Sequence, residues 1–135
     1  KGENFERKVR ERAPAYFGRI LRRCRVLSVE KLADILDDAL DNGVIIEEER
    51  EEVLQSDVVI TGVLRKTKED VVMIVEVSLT VDRKDVERAL RRGEIIGKVF
   101  RQKWIGAVIG KKATQGAEED SKRLGVLLFE DGRLK

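Results

Sequence analysis

The 135-residue sequence has no histidine, one cysteine, one proline and one tryptophan, and only 4% of it is aromatic. Without histidine there is no imidazole base, no His metal ligand, and no Ser-His or Cys-His nucleophile pair. Any catalysis must therefore rest on carboxylates, lysine and a metal. Cys24, being alone, forms neither an intrachain disulfide nor a cysteine-rich zinc site, and the expectation is a buried thiol in a reducing compartment. No run of about 18 apolar residues and no secretory leader pattern is present. The reading is a cytoplasmic protein with no membrane partner. The chain starts at Lys1 rather than at a methionine, as either a trimmed chain or an excised domain would.

Charge, by contrast, is plentiful. Lys, Arg, Asp and Glu make up 40% of the chain and leave a net charge of only +2. The balance is uneven along the chain: residues 1–25 carry a net +6, residues 26–56 a net −8 and residues 57–135 a net +4. Such a composition, with few thermolabile residues, is that of a thermophile's protein. The length suits one domain over residues 1–135, with a helical N-terminal region to residue 55 and an α/β core from residue 56.

Apolar spacing predicts the elements. Phe5, Val9, Phe17, Ile20 and Leu21 give residues 3–23 a basic amphipathic helix, or two helices parted at Pro14. Its apolar side would suit a homodimer contact, and its basic side a nucleic-acid surface or half of a coiled coil. Ser28 is the N-cap and Gly43 the stop of a second helix, and IIEEEREEVLQ is a third with an acidic first turn. Its EEEREE run is either solvated or a dock for a basic partner.

From Asp57 the period changes: DVVITGVL and VVMIVEVSLT read as strands joined by RKTKED. A helix over VDRKDVERALRRGEIIGKVF, a strand in WIGAVIG, a helix or turn in TQGAEEDSKRLG and a last strand in VLLF follow. Strands on either side of a long helix imply a right-handed crossover and an α/β fold, a mixed central β-sheet flanked by helices with a helical N-terminal extension. KKATQG lacks the glycine spacing of a phosphate-cradling P-loop.

The chemistry concentrates on the hairpin. Val71, Met73, Val75, Val77 and Leu79 share one face, and Val72, Ile74, Glu76, Ser78 and Thr80 the other. In an antiparallel hairpin, the start of the first strand lies beside the end of the second. Asp57 and Glu76 therefore come from one end of the sheet. Two carboxylates beside a buried sheet repel each other unless a cation lies between them, and Mg²⁺ or Mn²⁺ takes oxygen ligands while keeping waters that a phosphate can replace. The plain alternatives are that Glu76 pairs with Arg83 or Lys84 at the rim and that Asp57 merely caps a strand.

Asp57 at the head of one strand, Glu76-Val77-Ser78 near the end of the next and a following basic helix resemble the PD-(D/E)XK nuclease superfamily over roughly residues 57–110. More narrowly, SDVVITGVL and VEVSLTVDRKDVERALRR resemble a bacterial and archaeal group assigned to it. The resemblance implies a restriction-endonuclease-like core and a metal-dependent nuclease acting on nucleic-acid phosphodiesters. It implies Mg²⁺ or Mn²⁺ held by Asp57, Glu76 and the Val77 carbonyl, with an acidic residue of the N-terminal helix, Glu3 or Glu6, close by. It also implies a short strand before Asp57, for which VII at 44–46 is the candidate.

Ser78 stands where the superfamily has its lysine and carries no charge. Either Lys84 or Arg83, the nearest cations in sequence, replaces the lysine, or the domain is an inactive module for nucleic-acid binding or protein assembly. Arg83, Arg88, Arg91 and Arg92 are the candidate phosphate-backbone contacts, against the plain reading of a solvated helix face.

Overall fold

The computed structural model describes residues 2–135; Lys1, where the expected domain begins, lies outside the described residues. The chain opens with helices α1 (Gly2–Glu11) and α2 (Ala13–Phe17), with Pro14 in the first turn of α2, where its missing N–H is not needed. It then forms a strand, β1 (Leu21–Val26), where a continued helix is expected. Leu21 and Cys24 are its buried residues, three apart. That spacing looks helical, but it comes from a β-bulge between Arg22 and Arg25, with Arg23 at φ 55°. The short strand preceding Asp57 is therefore supplied by β1, and residues 44–46 lie in the loop between two helices.

Those helices are α3 (Val29–Asp41) and α4 (Glu47–Leu54). Ser28 caps α3 by accepting from the Lys31 N–H at 3.1 Å. Gly43, at φ 74°, stops it, and the Val44 N–H returns to the Ala39 carbonyl. The expected hairpin follows as β2 (Val58–Leu64) and β3 (Asp70–Val77), then β4 (Thr80–Val81), α5 (Arg83–Phe100), β5 (Lys103–Gly110), β6 (Lys112–Ala113), α6 (Gln115–Leu124), β7 (Leu127–Glu130) and β8 (Arg133–Leu134). β3 ends before Leu79, which is 41% exposed and leaves the apolar face to which the alternation assigned it.

The main sheet runs β1-β2-β3-β5-β7-β8. The pairs β3/β5 and β5/β7 are parallel and the others antiparallel, so the sheet is mixed, as expected. Each face carries its own core. On one side Val71, Met73 and Val75 pack with Phe5, Val9 and Phe17 from α1 and α2. The apolar side of the N-terminal segment is thus consumed within the chain, and with it the observation that suggested a dimer contact. On the other side Val59, Val72 and Ile74 pack with Leu32 and Leu36 of α3, Val53 of α4 and Ile95 and Ile96 of α5.

Helix α5 lies close on β5 because glycine allows it. A Cβ at Gly97 would stand 2.2 Å from the Trp104 ring. This approach sets the polar residues of α5 above the end of β3. Among the described residues, no helix is long and apolar enough to cross a membrane.

Candidate functional site

Asp57 directly precedes β2, whose antiparallel register with β3 pairs Val58 with Val75. One step further along the same ladder places Asp57 opposite Glu76. The two are tied through the backbone, for Asp57 Oδ2 accepts the Val77 N–H at 2.8 Å. Asp57 is also held from α1, since the Arg10 guanidinium donates to its carbonyl oxygen. Arg10 in turn pairs with Glu6 at 3.1 Å.

Glu76 belongs to the face of β3 that α5 covers, and it is 3% exposed. Its partner is neither of the cations nearest in sequence. Arg92, two and a half turns into α5, donates from Nη1 to Glu76 Oε1 at 2.8 Å. Arg92 is itself 8% exposed, so it lies inside the protein and not on the solvent-facing side of the helix to which spacing assigned it. Its Nε reaches Glu52 Oε2 of α4 at 2.8 Å, and Arg91 Nη2 reaches the same oxygen at 2.8 Å. A row Glu76, Arg92, Glu52, buried at its first two members and half-buried at Glu52, therefore crosses from sheet to helix. Glu76 Oε2, and the Oγ of Ser56, the residue before Asp57, are buried without a hydrogen-bond partner among the described residues.

The electrostatics follow from this burial. Desolvation raises the Glu76 carboxyl to about 7, against the attraction of Arg92 and with added repulsion from Asp57. Asp57 is raised by burial first, its bond from the Val77 N–H opposing and the Glu6 charge reinforcing the shift. At Glu52 burial pushes upward, but the hydrogen bonds from Arg92 and Arg91 outweigh it and the carboxyl titrates low.

Glu76 gives a pH dependence of definite sign. The folded state holds this proton more tightly than the unfolded one, so stability declines as pH rises from about 4.5 to about 7. Replacing Glu76 by Gln removes that term. Relative to wild type, Glu76→Gln should gain about 2 kcal/mol between pH 5 and pH 8, measured by urea denaturation at each pH. A wild-type advantage that grew with pH would show the opposite shift.

The other expected residues fall elsewhere. The Ser78 hydroxyl donates to the Thr80 carbonyl at 2.9 Å, stabilising the turn after β3. Lys84 is exposed and, among the described residues, makes no ion pair with Asp57 or Glu76; it lines a groove with Arg83, Gln115 and Gly116. Arg83 joins α5 to α6 through Glu119 at 3.0 Å and Asp120 at 2.6 Å. Arg88 pairs with Asp85 at 2.8 Å, and its charge still acts on Glu76. The EEEREE run docks on the chain's own cations: Glu52 takes Arg91 and Arg92, and Glu49 takes Lys98 at 2.7 Å.

The contribution of Glu52 and Arg10 was not foreseen. A partner 40 residues away leaves no local pattern, and only the fold brings Glu52 to Arg92. Glu6 was one of two candidates, and its charge acts on Asp57. Among the described residues, no group of three or more Asp, Glu, Cys or His side chains is close enough to hold a metal ion, so the cluster offers two carboxylates.

No protein-family model matches the sequence, and no curated protein matches it. Two solved structures are similar. The structure of the EndoMS-dsDNA2 complex matches with a TM-score of 0.55 and 15% identity, over 93% of this chain and 41% of that one. The crystal structure of a repair endonuclease from Pyrococcus abyssi matches with a TM-score of 0.45 and 13% identity, over 73% and 45%. The chain thus spans less than half the length of either. At such identities the likeness speaks for the fold, a mixed sheet flanked by helices similar to nuclease structures.

Proposed function

We propose that the chain is a nuclease-like domain of the PD-(D/E)XK kind that acts on nucleic-acid phosphodiesters with Mg²⁺ or Mn²⁺. One observation carries the reading: Glu76 is buried at the end of β3, opposite Asp57, with an oxygen that has no partner among the described residues. Two desolvated carboxylates with raised pKa values invite a dication, and Mg²⁺ is held by as few as one or two carboxylates when waters and phosphate complete its shell. Asp57 and Glu76, helped by the Val77 carbonyl, would hold it. A bound metal polarises the phosphate and lowers the pKa of an attacking water.

The protein's own residues have separate tasks. The Val77 N–H fixes the Asp57 carboxylate, and Arg10 fixes its backbone. Arg92 supplies the positive charge that Ser78 cannot. A guanidinium stays protonated throughout the accessible pH range, so Arg92 can stabilise developing negative charge but cannot take a proton. Asp57 and Glu76 lie beside each other within reach of Arg92, and Lys84 is the less favourable replacement for the missing lysine.

A second reading has its own support. Arg92 already neutralises Glu76, and Ser78 is turned into its own loop, as in a domain that binds nucleic acid or assembles with proteins without cleaving. Titration calorimetry with Mg²⁺ and Mn²⁺ on wild type, Asp57→Asn and Glu76→Gln, followed by cleavage assays on DNA and RNA, separates the two. For the nuclease, both substitutions abolish metal binding, and cleavage falls on the order of a thousandfold, several kcal/mol of transition-state stabilisation. No heat of binding in folded wild type would leave the non-cleaving module.

A further inference from the structure

On the face of the sheet opposite Glu76, the core formed with α1 and α2 runs out into a groove. Ile20, Leu64, Ile105, Leu127 and Leu134 line a hollow of about 300 Å³ there. A second hollow of about 560 Å³, floored by Phe17 and Phe129, meets it at Arg19, Ile20 and Leu134. Leu134 is 46% exposed at the junction of the two apolar hollows.

The rim has one sign. Arg19, Arg65, Lys66 and Arg133 border the two hollows, and no acidic residue lines either of them. Elsewhere several basic residues meet carboxylates: Arg83, Arg88, Arg91, Arg92 and Lys98 are paired. Among the described residues, Arg19, Arg65, Lys66 and Arg133 have no carboxylate partner.

We infer that this groove docks a peptide segment of a partner protein in which acidic residues flank two or more large apolar ones. The apolar floor takes the anchors and the cations take the flanks. A nucleic-acid backbone would satisfy the rim but leave the leucine and isoleucine floor without a partner, so the floor selects peptide over nucleic acid. The hollows are of a size that holds small ligands or a few side chains. Leu64 stands six residues from Val58 along β2, roughly 20 Å, and Glu76 is on the other side of the sheet, so the groove works whether or not the carboxylate site does.

The test is a random dodecapeptide display library panned on the full chain without metal or nucleic acid. Enriched peptides are then synthesised and their affinities measured by fluorescence anisotropy. Peptides with Leu, Ile or Phe between Asp or Glu residues should be enriched. Binding should weaken by more than about tenfold in the Arg19→Glu, Lys66→Glu double variant and in Leu134→Ser, while the melting temperature stays that of wild type. Enrichment of basic or uncharged peptides, no enrichment, or indifference to both variants would overturn the assignment. So would displacement of the bound peptide by a short DNA duplex, which would make the groove a nucleic-acid surface.

Discussion

Arg92→Met should destabilise the protein by about 3–5 kcal/mol at pH 8, the cost of leaving the buried Glu76 carboxylate without its counter-ion. Glu76 loses the one side-chain hydrogen bond it has among the described residues, and Glu52 loses one of the two arginines that share its Oε2. The loss should be smaller at pH 5, where Glu76, titrating near 7, is protonated and needs no cation. Denaturant unfolding at the two pH values reads both effects. The double variant Arg92→Met, Glu76→Met should recover much of the stability, since replacing both members of a buried pair is often neutral. If it recovered none, Arg92 would be holding α4 rather than balancing Glu76.

Phe17→Ala should cost about 3–5 kcal/mol in the same assay. Phe17 is fully buried and meets the Phe129 ring edge-on, with centroids 5.0 Å apart. It fastens the N-terminal segment to β7, far along the chain. Were Phe17 a contact between two molecules, the melting temperature would depend on protein concentration. For a residue of the chain's own core it should not, and two thermal scans at different concentrations decide the matter.

The elements easiest to read from sequence are those whose period is unbroken. The β2–β3 hairpin carries β-branched runs of strand length and α5 a helical spacing of apolar residues, and both formed as expected. The Ser28 cap and the Gly43 stop also formed, because each is written in one residue. β1 was hidden because its bulge changes the spacing of Leu21 and Cys24 from two to three, and a strand then looks like a helix. At the site, Asp57 and Glu76 were legible because hairpin geometry is local. Arg92 was named for a different role, and Glu52 was missed. Whether a cation on α5 faces water or a carboxylate depends on how closely the helix lies on β5, which the glycines facing Trp104 decide.

The bulge in β1 also bears on how the protein behaves when many copies are crowded together. β1 and β8 are the outermost strands of the main sheet. An outermost strand that is straight and flat offers its neighbourless amides to any passing chain, the first step of amyloid-like growth. β1 is kinked at Arg23 and bears exposed arginines at 22, 23 and 25, and β8 is only two residues long. Neither margin makes a template for recruiting a strand from another molecule, and like charge on β1 repels its own copy. A protein rich in β-branched strands is thus kept from fibrous self-association by one extra residue and three guanidinium groups.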